Sequence, residues 1–232
     1  MHINNRYVLD RAQASGGPVL DYGCGGGETV KAGLAAGLDI YGADIFQVHN
    51  AERLASVSPL LDKQVFRIED GRLPFPDATF ATVVSNQVFE HVGDLDSVLG
   101  EIVRVLKPGG VLLTLFPSKE VWFEGHCRIF FAHWLVGRPW LFKPYMTLAH
   151  FLGFGIYREG KTRREWVDGF ADYLKRYTAY RTMPELRALF AKHGLKIEHA
   201  EADYMRFRWG RSIMPVSLYR RRAGLVLRAH AA

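Results

Sequence analysis

Cysteine is scarce. The 232 residues hold two, Cys24 and Cys127, too few for a disulfide framework and outside any metal-type cysteine cluster. A reduced, cytoplasmic setting is therefore the default expectation. Long apolar runs are missing too, since none reaches the roughly 18 residues that a spanning helix needs. The N-terminal stretch MHINNRYVLDRAQ has no apolar signal core, so secretion is not expected. No internal repeat or low-complexity tract is found, which argues against solenoid and fibrous classes. The nine histidines are scattered, with no His-x-x-x-His or Cys-x-x-Cys pair, so no metal site is expected. Acidic residues are absent after Asp203, whereas Arg206, Arg208, Arg211, Arg220, Arg221, Arg222 and Arg228 all follow it.

What is present is ordinary globular material: 48% hydrophobic and 23% charged residues in a length that suits one enlarged domain. The charge is uneven. Residues 1–157 carry 13 basic and 16 acidic residues, and residues 158–232 carry 17 and 8. A basic C-terminal third suits either an anionic neighbour, such as a phosphate-bearing substrate or a membrane surface, or simply a solvated face.

Short apolar runs alternate with helical patterns over the first 120 residues. Strands are expected at Pro18–Tyr22, Ile40–Ile45, Gln64–Glu69, Phe80–Ser85 and Val111–Phe116, the last launched by a Pro108-Gly109-Gly110 turn. Helices are expected at Glu28–Leu38, Gln47–Val57 and Asp94–Leu106. This order implies an α/β, doubly wound, mainly parallel sheet. Residues 119–182 break the pattern, being rich in Trp, Phe, Tyr, His and Arg. Alternation resumes with a helix at Pro184–His193, a sixth strand at Lys196–Tyr204 and a seventh at Ala223–Ala229. Residues 1–118 and 183–232 are thus read as one core, with 119–182 inserted over the strand ends.

The strongest motif is Val19-Leu20-Asp21-Tyr22-Gly23-Cys24-Gly25-Gly26-Gly27, between a strand and a helix. Glycines there let the chain turn tightly and approach a ligand. The dinucleotide spacing Gly-x-Gly-x-x-Gly would need glycine where Glu28 stands, and a carboxylate at a helix N-terminus repels a pyrophosphate. Asp21 can serve an ammonium group or order the glycine loop. Asp44, 17 residues after Gly27, can accept two ribose hydroxyls, and Asp70 with Gly71 can meet the exocyclic amine of adenine. All three acids fall at the carboxyl ends of neighbouring strands, where such sheets bind ligands. The implied ligand has an amino acid end, a ribose and an adenine, without a phosphate.

Residues 18–116 resemble the class I S-adenosylmethionine-dependent methyltransferases, in particular the methyltransferase type 11 group. The resemblance rests on Val19–Gly27, Gly42-Ala43-Asp44, Glu69-Asp70-Gly71 with Leu73-Pro74-Phe75-Pro76-Asp77, Phe80–Ser85, Asn86-Gln87-Val88-Phe89-Glu90-His91-Val92, and Glu101–Gly110. It implies a Rossmann-like sheet of seven strands, the last antiparallel, and S-adenosyl-L-methionine as cofactor. Carried over residue by residue, it implies that Asp21, Gly23, Gly25 and Gly27 hold the methionine part. Asp44 and Ile45 would hold the ribose and flank the adenine, and Asp70 and Gly71 would meet the adenine edge. Asn86 and Gln87 would lie near the sulfonium. Glu90-His91 reads better as a cap of the segment after the fourth strand than as catalytic machinery. Cys24 reads as a small filler.

An oxygen nucleophile needs a base near neutral pKa. Glu124-Gly125-His126 and His133 offer one: His126, or else His133, with Glu124 able to orient an imidazole. The two histidines are seven apart and would share a face if helical. The competing reading packs both rings among aromatics. The aromatic pieces of Ile129–Phe154 are too short to span a bilayer. They suit a lid core packed against the domain first, and otherwise a lid over an apolar substrate or an interfacial element beside the basic C-terminal third. The expected activity is O-methylation of a small, lipid- or sugar-linked biosynthetic metabolite. Two alternatives remain: C-methylation of a quinone or isoprenoid-like acceptor, and a non-catalytic cofactor-binding protein. No nucleic-acid-binding module is visible, so nucleic acid is not an expected partner. The expected location is cytoplasmic, with a peripheral contact at an anionic inner membrane surface as a further expectation.

Overall fold

The computed structural model describes residues 1–46 and 51–231. Its centre is a seven-stranded sheet ordered β3-β2-β1-β4-β5-β9-β8. The strands are β1 (Val19–Tyr22), β2 (Ile40–Asp44), β3 (Val65–Arg67), β4 (Phe80–Asn86), β5 (Leu106–Phe116), β8 (Lys196–His199) and β9 (Leu225–His230). The first five pair in parallel, and β9 runs antiparallel to both β5 and β8. All four β1 side chains are buried, as expected where helices cover both faces of a parallel sheet.

One face is covered by α4 (Leu95–Val105) and α8 (Met183–Lys192), around Phe80, Leu99, Ile102, Leu186 and Phe190. Asp94 caps α4 by accepting from the Ser97 amide at 3.1 Å, and Leu95, Leu99, Ile102 and Val105 form its buried stripe. Thr182 and Glu185 close a capping box at the start of α8. The other face is covered by α1 (Ile3–Ser15), α2 (Glu28–Ala35) and α9 (Glu201–Trp209), around Tyr7, Val8, Val30, Tyr204 and Met205. Only the Ala51–Val57 part of the helix expected from Gln47 (α3) is described; Gln47, Val48, His49 and Asn50 lie outside the described residues.

The sequence reading needs four corrections here. The sixth strand stops at His199, and residues 201–209 are helical. Glu201, Tyr204 and Met205 are all buried, a spacing of three and four that belongs to a helix. They are held from outside the segment: Arg220 donates to Glu201 at 2.8 Å and Tyr204 donates to Asn4 at 2.5 Å. Ala223 ends helix α10 (Val216–Ala223) and does not open the last strand. Gly224 then turns with φ 104°, so close to Phe116 that a Cβ would sit 2.8 Å from its carbonyl oxygen. The Pro108-Gly109-Gly110 segment is absorbed into β5 as an irregularity in its register with β4. Finally, helix α1 has no counterpart among the expected elements. Its burial of Tyr7, Val8 and Ala12 is decided by contact with β4 and α9. Asp203 fixes that contact by accepting from Tyr7 Oη at 2.9 Å and Arg11 Nε at 2.7 Å.

Between β5 and α8 the chain forms a two-residue hairpin, β6 (Phe123–Glu124) with β7 (Ile129–Phe130). Helices α5 (Ala132–Leu135), α6 (Pro139–Phe151) and α7 (Arg163–Arg176) follow. These helices share an apolar cluster of their own, centred on Phe142, Met146, Trp166 and Leu174. Trp166 is anchored by its indole N–H on the Ile156 carbonyl at 2.7 Å.

Candidate active site

The glycine loop leaves β1 and enters α2 with Gly23, Gly25 and Gly27 all at positive φ, 77°, 51° and 70°. At Gly27 a Cβ would lie 2.6 Å from Val57 Cγ1, and at Gly23 it would overlap Val88. Only glycine satisfies both demands. At Gly25 the nearest atoms to such a Cβ belong to the Arg53 side chain at 3.8 Å, an ordinary contact.

Asp21 and Asp44 stand at the ends of β1 and β2, whereas β3 stops at Arg67 and Asp70 follows three residues later in a turn. Asp21 is buried, and its carboxyl is pushed up to about 7, chiefly by burial and then by the Asp44 charge, against a lowering hydrogen bond from Thr29. Asp44 accepts from the backbone N–H groups of Gly25 and Phe46, each at 2.9 Å. It therefore holds the glycine loop to β2 while keeping lone pairs for further donors. Asp70 and Gly71 form an exposed turn with φ 50° and 73°. Ile45 is half exposed beside Asp44, and Arg67 donates to its carbonyl at 3.3 Å. Cys24 is buried and its thiol is pushed up, which suits an inert filler.

These residues fit S-adenosylmethionine on chemical grounds. Among the described residues no cation pairs with the buried Asp21 carboxyl, a Cβ would crowd the bends at Gly23 and Gly27, and Asp44 has acceptor capacity left. Asn86 and Gln87 stand at the end of β4, but Asn86 faces α1. Its amide donates to Asn5 at 2.7 Å and accepts from Asn4 at 3.2 Å, and Asn5 in turn donates to Glu28 at 3.2 Å. Helix α1 thereby closes against the start of α2. Gln87 adopts φ 58° and bonds twice to the Leu115 carbonyl.

From Gln87 outward a cavity of about 690 Å³ opens between the core and the insertion. Its wall includes Arg53, Gln87, Glu90, His91, His126 and Arg128. A second cavity of about 330 Å³ shares Gln87 and His126 with it. Arg53 thus reaches from the glycine loop to the cavity. Among the described residues, the wall cations Arg53, Arg128 and Lys161 have no ion-pair partner.

His126 and His133 do not share a helix. His126 sits in the turn of the β6–β7 hairpin and His133 in α5. His126 Nδ1 lies 2.7 Å from Glu124 Oε1, and Glu124 is buried. Tyr180 Oη donates to the same carboxylate at 2.6 Å and the Cys127 amide at 2.9 Å. Burial alone would raise the Glu124 carboxyl, but hydrogen bonds from His126 and Tyr180 and the His126 charge outweigh it and hold it at about 2. Burial also opposes the charged form of His126, yet the bond and charge of Glu124 prevail and raise it. His133 lines neither cavity. Its Nε2 is 3.3 Å from the Lys119 carbonyl, its ring packs on Tyr180 and Trp134, and burial lowers its pKa. The ring is thus packed among aromatics and away from both cavities.

Glu90 and His91 also depart from the capping reading. Both side chains line the cavity. His91 Nδ1 lies 2.6 Å from the Tyr177 carbonyl, and its Nε2 lies 3.2 Å from His126 Nε2. Burial pushes the Glu90 carboxyl up to about 8. Sequence spacing could not join these groups, because Tyr177 and Tyr180 return to the site only at the far end of residues 119–182.

Comparison with known proteins agrees with this core. A family model described as a methyltransferase domain matches residues 20–114. A demethylmenaquinone methyltransferase of Symbiobacterium thermophilum is 31% identical over 59% of this chain and 56% of its own length. A ubiquinone biosynthesis O-methyltransferase of Thiobacillus denitrificans is 33% identical over 45% of this chain and 46% of its own length. The chain thus spans about half the length of these two relatives. The crystal structure of an S-adenosylmethionine-dependent methyltransferase from Mesorhizobium loti superposes with TM-score 0.56 at 17% identity, covering 99% of this chain and 100% of that one, a likeness of fold. Residues 20–114, which hold most of the glycine loop and the acids Asp21, Asp44 and Asp70, thus match a methyltransferase domain of the type 11 family model.

Proposed function

We propose that the protein transfers a methyl group to an oxygen of a small, lipid- or sugar-linked metabolite that carries negative charge. The observation that carries this reading is the Tyr180–Glu124–His126 chain of hydrogen bonds ending on the cavity wall beside Gln87. The cofactor, when bound, supplies a methyl already activated on its sulfonium. Asp21 would hold its ammonium, Asp44 and Ile45 its ribose side, and Asp70 with Gly71 its adenine edge, with Gly23, Gly25 and Gly27 beneath.

With Nδ1–H donated to Glu124, His126 presents Nε2 as an acceptor. It takes the proton of the acceptor's hydroxyl as the oxygen attacks, and Glu124 stabilises the imidazolium that forms. Arg53, Arg128 and Lys161 counter the charge of the acceptor and steer it toward His126. Residues 119–182 act as the lid that excludes water from the cavity, set on the core formed by residues 1–118 and 183–232. The lid's outer surface also suits a membrane contact. Trp140, Leu148 and Phe151 lie eight and eleven residues apart on one face of α6, exposed at 73%, 54% and 69%, and Arg163 stacks on Phe151 at 5.6 Å.

The test is His126→Ala assayed with labelled cofactor and a metabolite extract. A large loss of product is expected, and the residual activity should lack the acid limb of the pH–rate profile, where a general base becomes protonated. Unchanged turnover and pH profile would reject the base. The name of the Symbiobacterium relative favours a second reading, carbon methylation of a quinone-like acceptor, in which histidine substitutions would matter little. Product identification separates the two.

A further inference from the structure

The imidazoles of His91 and His126 meet in an arrangement that a hydroxyl base alone does not require. His91 Nδ1 lies 2.6 Å from the Tyr177 carbonyl oxygen, which can only accept, so that nitrogen carries the proton. His126 Nδ1 lies 2.7 Å from Glu124 Oε1, an ionised carboxylate fixed by Tyr180 and Cys127, so it too carries the proton. In neutral rings both Nε2 atoms are then bare lone pairs, yet they face each other at 3.2 Å. Two lone pairs at that distance repel unless something positive lies beside them.

A third donor completes the set. Glu90 is buried, and among the described residues neither of its carboxylate oxygens has a hydrogen-bond partner. Its Oε1 lies 4.0 Å from His91 Nε2, and one ligand atom from each of Glu90, His91 and His126 falls within 4.8 Å of the others. Two ligands about 2.1 Å from one metal ion, at angles between octahedral and tetrahedral, stand about 3.0–3.4 Å apart, which brackets the imidazole pair. Glu90 must close by about 0.6–1.0 Å on His91 and by up to about 1.4–1.8 Å on His126. The outer contacts match as well: a carboxylate on one ligand imidazole and a backbone carbonyl on the other are the groups that orient metal-bound histidines.

We propose that Glu90, His91 and His126 form a binding site for a divalent transition-metal cation of the zinc or cobalt type, open to the acceptor cavity. Two histidines and one carboxylate leave a coordination position free toward the cavity. Bound there, the ion engages His126 Nε2 and takes over the acidification of an acceptor hydroxyl. The site goes beyond the reaction proposed above, and metal binding alone decides it.

The experiment uses the full chain stripped with a chelator and titrated with Zn²⁺ by calorimetry and with Co²⁺ by visible absorbance. One ion per chain is expected, with cobalt bands of a low-coordinate nitrogen–oxygen site. Glu90→Gln and His91→Ala should each weaken binding at least tenfold. Glu124→Gln should weaken it about 10–100-fold by releasing the His126 ring. His230→Ala, outside the cluster, should leave it unchanged. Absence of stoichiometric binding by the wild type overturns the proposal, as does wild-type affinity in both Glu90→Gln and His91→Ala. If Glu90→Gln fails to fold, the half-exposed His91→Ala decides. S-adenosylhomocysteine binding, measured on the same stripped protein, reports separately on the methyltransferase reading.

Discussion

Asp21→Asn should stabilise the free protein at alkaline pH and weaken its hold on the cofactor. The side chain lies buried in β1, with its carboxyl pushed from the ordinary 3.8 to about 7. Between those two values the folded chain keeps a proton that the unfolded chain has released. Stability therefore falls as pH rises through that window, and the loss is complete above about 7. Each pH unit in the window costs about 1.4 kcal/mol. The full penalty at pH 8 is then about 4 kcal/mol, against about 1.6 kcal/mol at pH 5. Asparagine keeps the shape and does not titrate. The stability of Asp21→Asn relative to wild type should thus improve by about 3 kcal/mol between pH 5 and pH 8, or about 6–12 °C in melting temperature for a chain of this size. Urea unfolding at the two pH values measures it. The cofactor's ammonium would meanwhile lose a buried charged partner, which costs about 2–5 kcal/mol, or about thirtyfold or more in affinity. Calorimetry with S-adenosylhomocysteine reads that loss. A variant whose relative stability is the same at both pH values would refute the electrostatic reasoning. A variant that binds S-adenosylhomocysteine as well as wild type would remove Asp21 from the pocket.

Gly27→Ala should destabilise the fold by at least about 1–2 kcal/mol for the left-handed backbone alone. The approach of its Cβ to Val57 Cγ1 at 2.6 Å adds to this, and urea unfolding checks the sum. Arg128→Gln should raise KM for the charged acceptor about tenfold or more, the scale of one charge-assisted hydrogen bond, while S-adenosylhomocysteine affinity stays constant; steady-state kinetics with the identified acceptor decide it. Replacing Trp140, Phe151 and Phe154 together by Ser should abolish co-flotation with anionic vesicles at low salt and leave cofactor binding intact, and flotation of the variant equal to wild type would discard that surface.

The spacing of apolar residues is enough to write down the α/β core, because a strand buried on both faces must be apolar throughout and an amphipathic helix must repeat near 3.6 residues. Val19–Tyr22, Phe80–Asn86 and the Leu95–Val105 stripe all obey that rule locally. So does the glycine loop, where positive φ excludes other residues. The sequence therefore determines by itself where the glycine loop lies and which acids follow the neighbouring strands. It could not assign residues 201–209, whose helical burial comes from Asn4, Arg220 and α1, all remote in the chain. Nor could it join Glu90 and His91 to Glu124, His126, Tyr177 and Tyr180. Those six residues meet only because the hairpin and α5–α7 fold back over the end of β4, and a contact between segments so far apart leaves no periodic trace along the chain. The tertiary structure alone decided that the two imidazoles face each other at the wall of one cavity, beside a buried carboxylate that has no hydrogen-bond partner among the described residues.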